Sequence, residues 1–209
     1  MCYSERASLI AFLTNCCSSF VLYQYNKVLA LYMAYVGLMQ LYDYIFWTNL
    51  GETPVNYITT KVAMVINHLQ PIVLALLITQ INKTELDDLT KKVLYMYGIC
   101  VFIYTVVHWH EVNYTVVTEK SHPSLEWKWN NLSGGSIVYF LYLLSIVMLL
   151  YHHFPSQLNT YLVFVAMSSF ILSYYYYKSQ GIGRFWCYFA AYIPLFIVAW
   201  FAQTASETV

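Results

Sequence analysis

Charge is the scarcest property of this sequence. Asp, Glu, Lys and Arg make up 10% of its 209 residues, against about 25% in ordinary soluble domains. Ten basic and ten acidic residues cancel to a formal net charge of zero, which excludes the basic surface that nucleic-acid binding needs. So few charges also leave too little polar surface to keep a soluble globule of this size dispersed. Disorder is excluded as well, because disordered chains are poor in apolar residues and rich in charge. Hydrophobic residues are 60% of the chain, but 22 of them are tyrosines. With Tyr set aside and the 7 glycines added, the apolar share is about 53%, little above the roughly 45–50% of soluble proteins. The shortage of charge, more than any surplus of apolar residues, points to a membrane. Other signatures are missing too: a phosphate-cradling glycine loop, a Ser/His/Asp constellation, a GxxxG pair, and a lysine within residues 185–203 to carry a retinal Schiff base.

The charge-free runs act as a ruler, since a bilayer core takes about 20 mostly apolar residues per helix. Residues 7–26, 62–82, 93–110, 136–177 and 185–206 carry no charge, and 28–51 carries only Asp43. The 42-residue run 136–177 is too long for one span and is broken by His152, His153, Phe154 and Pro155. The chain therefore reads as an all-α membrane protein. A single domain over residues 1–209 holds a bundle of seven transmembrane helices, spanning about 7–26, 28–48, 60–81, 93–110, 136–152, 158–177 and 185–203. Barrel strands are a poor alternative, because runs such as 137–150 are apolar on every face and lack the two-residue alternation of barrels. The first span has neither a basic lead nor a convincing cleavage site, so it is expected to remain as a helix. Residues 111–135 form the one connection large enough for structure of its own.

Let side A be the side bearing the N-terminus. Seven spans place six Lys and Arg residues on side A and four on side B, which favours a cytoplasmic side A. The sequons at Asn113 and Asn131, in the long side-A loop, favour a lumenal one. A third sequon at Asn82 falls on side B, so orientation stays open. Cys2 and Cys187 fall near the same side-A boundary and could form a disulfide if that side is oxidising. Cys16, Cys17 and Cys100 lie inside spans and read as packing residues.

Polar residues inside spans need a partner or a purpose. Asp43 lies about five residues, or roughly 8 Å, from the side-A end of span two, and Lys61 enters span three from the same side. The first reading is an Asp43–Lys61 ion pair between neighbouring helices; the second is a site for a charged solute or a proton, and the third has Lys61 snorkelling and Asp43 in water. Gln40, Asp43 and Trp47 share a helix face, and Asn67, His68 and Gln70 precede Pro71 in span three. Those side chains either satisfy the carbonyl freed by Pro71 or form a polar pocket between spans two and three. Pro194 in span seven matches Pro71 if the bundle is built as 3+1+3. His108, His110 and Glu111, with His122 beyond, are the metal candidates, but residues two apart point about 200° from each other on a helix, and ligands want a spacing of three or four. Interfacial histidine is the preferred reading, so no metal and no cofactor are expected. Trp127 and Trp129 suggest that residues 123–129 lie flat in an aromatic belt. The four consecutive tyrosines 174–177 read as an interfacial anchor.

The short motifs resemble those of an uncharacterised family of seven-span membrane proteins found chiefly in giant DNA viruses and some algae. They are Cys2-x-Ser4 with Ser8-Leu9; Met39-Gln40-Leu41 with Asp43 and Phe46-Trp47; Leu69-Gln70-Pro71; Leu125-Glu126-Trp127-Lys128-Trp129; and Gly181-x-Gly183-x-x-Trp186-Cys187. Asp43 stands where the family usually carries Glu, and Arg184 where a Ser often follows the second glycine. The resemblance implies an integral, multi-pass protein of a viral or host membrane and supplies no catalytic residues. The preferred function is a structural or interaction component of that membrane. The alternative is a small-solute or proton transporter with a polar path between spans two and three; an enzyme is disfavoured. Expected partners are the lipid bilayer and either further copies of the chain or other membrane or virion proteins, with no nucleic acid and an unspecified ligand.

Overall fold

The computed structural model describes residues 4–118, 124–177 and 182–206. Seven α-helices run through them: α1 (Glu5–Leu22), α2 (Lys27–Thr48), α3 (Pro54–Ile81), α4 (Asp88–His108), α5 (Gly135–His153), α6 (Ser156–Tyr177) and α7 (Ile182–Ser206). Of these, α2, α3, α4 and α5 are long and apolar enough to cross a bilayer. In α1 the buried Asn15, Ser18 and Ser19 dilute the apolar run. Two helices begin five or six residues earlier than the charge ruler predicts, α3 at Pro54 rather than residue 60 and α4 at Asp88 rather than 93. The cause is capping. The Thr53 hydroxyl accepts from the Asn56 amide ahead of Pro54, and Asp87 caps α4. A charge-free run measures the bilayer-compatible stretch, whereas a capped helix continues past it.

The helices pack in sequence order as a ring that closes where α1 meets α7, with α2 also touching α7 and α3 also touching α5. Although consecutive, α3 and α4 touch little. Leu29, Leu74, Ile78, Tyr97, Leu149 and Ile197 lie in the larger core. A second core on side A joins Met39, Phe46, Ala63 and Met64 of the helices to Val112, Leu125, Trp127 and Trp129 of the long connection. That connection folds as an antiparallel hairpin, β1 (Val116–Thr118) with β2 (Ser124–Glu126), followed by a 3-10 turn over Lys128–Asn130. Trp127 is 1% exposed and Trp129 fully buried, so this segment is a folded plug rather than a belt lying flat on the membrane. The outer faces carry large apolar side chains, among them Phe20, Phe102, Phe140 and Phe164, while Asn15, Gln40, Asp43 and Asn56 are buried inside. An exterior this apolar over a polar interior suits a hydrocarbon solvent.

Contact between α1, α2 and α7 depends on Gly37. A Cβ there would lie 2.3 Å from Oδ1 of Asn15, and the Asn15 amide donates to the Ala191 carbonyl of α7 at 3.2 Å. Gly37→Ala should therefore cost about 1–3 kcal/mol through overpacking, and Asn15→Ala should restore part of that loss by removing the clashing amide. Thermal unfolding of the single and double variants measures this; strictly additive losses would show that the two side chains do not meet.

At the start of α4, the Thr90 hydroxyl and amide donate to Asp87 at 2.5 and 2.9 Å. These bonds, with His152 nearby, hold the Asp87 carboxyl down at about 2. The folded value lies below the roughly 3.9 of an unfolded Asp. The cap's stabilisation is thus complete above about pH 4 and is lost as pH falls through about 2. Asp87→Ala should lower stability by about 1 kcal/mol at neutral pH, and its difference from wild type should shrink between pH 4 and 2 in melts across that range.

Candidate functional site

The six polar residues singled out in spans two and three do not converge. Asp43 and Lys61 are both buried and do not pair with each other. Asp43 Oδ1 accepts instead from the Trp127 indole N–H at 3.1 Å, and Trp127 stacks on Trp129 with ring centroids 5.3 Å apart. The Lys61 ammonium donates to the Trp109 carbonyl and lies 5.3 and 4.8 Å from the Tyr57 and Trp109 ring centroids. Among the described residues no carboxylate lies within ion-pair distance of it. The plug supplies a partner to Asp43 and the C-terminal end of α4 one to Lys61, which span-by-span reading of depth and sign could not foresee. Gln40 is fully buried, and neither end of its amide has a hydrogen-bond partner among the described residues.

Asn67 and His68 turn towards α4 and α5, whereas Gln70 meets Tyr142 of α5 in a small space that Tyr32, Met33 and Val36 of α2 also line. His68 Nδ1 lies 2.9 Å from the Thr105 hydroxyl of α4, and its Nε2 lies 3.2 Å from the Tyr139 hydroxyl of α5. Tyr139 donates to Asn130 Oδ1 at 2.5 Å, and the Asn67 amide donates to Tyr139 at 3.4 Å. Tyr142 of α5 donates to the Gln70 carbonyl oxygen. These donors assign one tautomer: Tyr139 gives its hydrogen to Asn130, so Nε2 donates to Tyr139 and Nδ1 accepts from Thr105. His68 is then fully partnered as a neutral imidazole. The chain of bonds ends on an amide oxygen, which cannot pass a proton onward, so the arrangement holds three helices together and is poorly built as a relay.

Around Pro71 the sequence suggested that nearby side chains of α3 serve the freed backbone. The Pro71 ring frees the Asn67 carbonyl, and neighbouring helices reach the carbonyls on either side of it. Tyr97 of α4 donates to the His68 carbonyl at 2.5 Å, and Tyr35 of α2 to the Ile66 carbonyl at 3.1 Å. Pro194 repeats the pattern, because Ala191 also lies three residues before its proline and takes the Asn15 amide.

Of the metal candidates, His108 Nδ1 lies 3.1 Å from Glu111 Oε1 and Nε2 donates to the Ser133 carbonyl at 3.0 Å, while His110 is exposed. No group of three metal-ligating side chains forms among the described residues. His122, Cys2 and the Cys187 side chain lie outside the described residues, so the proposed disulfide does too. The residues missed by sequence reading are chiefly tyrosines: Tyr97 and Tyr104 share a face of α4, and Tyr139 and Tyr142 are three apart on α5. That spacing within charge-free runs was the available signal.

Compared with known proteins, the chain matches no protein-family model, and no curated protein or solved structure matches it significantly. The site must therefore be judged on its geometry. A double-mutant cycle separates the two pairings open to Asp43. Asp43→Asn and Trp127→Phe should show a coupling of about 0.5–3 kcal/mol, whereas Asp43→Asn and Lys61→Met should add. Coupling to Lys61 alone would restore the ion pair.

Proposed function

We propose that this protein is a seven-span integral membrane protein whose role is structural or interactive, and that it is not a conduit. The supporting observation is closure. The side-A plug buries Trp127 and Trp129 against the helices, and the space on the bundle axis beside Gln70 and Tyr142 is about 40 Å³. Such a volume holds a few waters at most. Among the polar side chains that could have lined a path, His68, Tyr139, Asn130 and Thr105 bind each other instead. The transport alternative needs a polar path between α2 and α3, where Gln70 borders only about 40 Å³ of space with α2, while Asn67 and His68 bond to α4 and α5. With α1, α6 and α7 joining the four long apolar helices in one ring, seven crossings account for all seven helices. The resemblance to short proteins of giant DNA viruses and algae points to a viral or host membrane, where copies of the chain or other membrane proteins are the natural partners.

Two measurements test this reading. Tags at the two ends of the chain should be reached by protease from opposite sides of sealed vesicles, as an odd number of spans requires; access from one side overturns seven. Reconstituted vesicles should show proton flux no greater than protein-free ones. Flux that His68→Ala abolishes would overturn the closed bundle in favour of transport.

A further inference from the structure

Because α3 and α4 splay, a groove runs between them along the outside of the bundle. Its side-A part encloses about 530 Å³ beside Val65, His68, Phe102 and Trp109. Its side-B part encloses about 400 Å³ beside Leu76, Thr79, Leu94 and Tyr95. Ile72 and Gly98 line both parts, so the groove is continuous. From Val65 to Thr79 it follows α3 for roughly 21 Å at 1.5 Å per residue, most of the approximately 30 Å hydrocarbon thickness of a bilayer. Each part falls in the roughly 300–1,000 Å³ range of ligand sites. The polar atoms in its floor, His68 Nδ1 and Thr105 Oγ1, bind each other at 2.9 Å, which leaves an apolar surface. At Gly98 an added Cβ would meet nothing within 4 Å, so the floor is open there.

The side-A end differs in charge. Lys61 stands one helical turn beyond Val65 on the same face of α3, and Trp109, which lines the groove, also gives Lys61 its carbonyl and its ring. Lys61 is 6% exposed, and among the described residues it has no carboxylate partner. An ammonium has three donors, and Trp109 takes one. A buried cation without an anion is costly in or near hydrocarbon. His110, exposed at the same mouth, adds a further donor.

We propose that the α3–α4 groove binds an anionic phospholipid, with one acyl chain along Ile72 and Gly98 and the phosphate at Lys61 and His110. This rests on the membrane reading above. The apolar groove supplies retention, and the uncompensated ammonium selects the sign of the headgroup.

The test is native mass spectrometry of the full chain released from vesicles of phosphatidylcholine and phosphatidylglycerol in equal parts. Wild type should retain one phospholipid, phosphatidylglycerol over phosphatidylcholine by about tenfold. Lys61→Gln should keep a lipid and lose the preference. Gly98→Leu, whose Cβ enters open space, should lose both lipids while keeping the wild-type melting temperature in detergent. Equal retention of the two lipids by wild type overturns the proposal, as does undiminished retention by Gly98→Leu. A dimer that Gly98→Leu dissociates overturns it in favour of a second copy in the groove. Carbonate washing of the same vesicles separates the two readings: protein that stays in the membrane without lipid preference removes the lipid site alone, and protein that washes off removes both.

Discussion

The hydrogen bond from Tyr97 to the His68 carbonyl states the constraint on which this bundle depends. Hydrocarbon offers no hydrogen-bonding groups, so whatever a helix leaves unsatisfied must be met by another part of the protein. Pro71 and Pro194 each remove an N–H from the middle of a helix and loosen the turn before it. In both cases the carbonyl next to the freed one, three residues before the proline, receives a side chain from a neighbour, Tyr97 for α3 and Asn15 for α7. A cross-link thereby sits beside each local defect. One ties α3 to α4 across a gap where little else touches, and the other holds α1 against α7 where the ring closes.

The same logic explains the plug. Asp43 and Lys61 sit close to side A but too deep for free hydration; Asp43 draws on the long connection for its partner and Lys61 on Trp109 at the end of α4. Asn56 draws the connection in further. Its amide donates to the Thr115 carbonyl at 2.9 Å and its oxygen accepts the Thr115 amide at 3.0 Å, while Thr60 bonds to the Thr115 hydroxyl and amide. Residue 115 is thus fixed to α3 before the hairpin begins. This accounts for how a three-residue pair of strands, too short to stand alone in water, can serve as the floor of a second core.

The helices were legible in the sequence because their signal is one-dimensional. A missing charge marks a buried or lipid-facing stretch whatever its neighbours are, and the break at Pro155 separates α5 from α6 without any knowledge of packing. Pairing is not one-dimensional. Asp43 and Lys61 carry opposite signs at similar depth, yet depth does not fix azimuth, and the Trp127 indole reaches the carboxylate first. Tyrosine hid the rest. Its ring reads as apolar or interfacial in any composition count, while Tyr35, Tyr97, Tyr104, Tyr139 and Tyr142 each donate a hydrogen bond at or below the surface of the bundle. The 22 tyrosines therefore include much of the interior's hydrogen-bonding capacity. Those at 174–177 carry no such account, since three of their four side chains lie outside the described residues.

His68 shows why a histidine at mid-membrane depth need not be a proton site. Function at such a position requires a free nitrogen or a partner able to exchange a proton with water. Here Thr105 and Tyr139 occupy both nitrogens, and the chain runs on to an asparagine oxygen. What the residue does hold is the gap. Its ring bridges α4 and α5, and its carbonyl takes Tyr97 from α4. Side chain and backbone of a single residue thus span the one interface in the ring where two consecutive helices barely meet. Polar contact at that point keeps α3 and α4 from separating further, and the sparse packing on either side of it leaves the groove open.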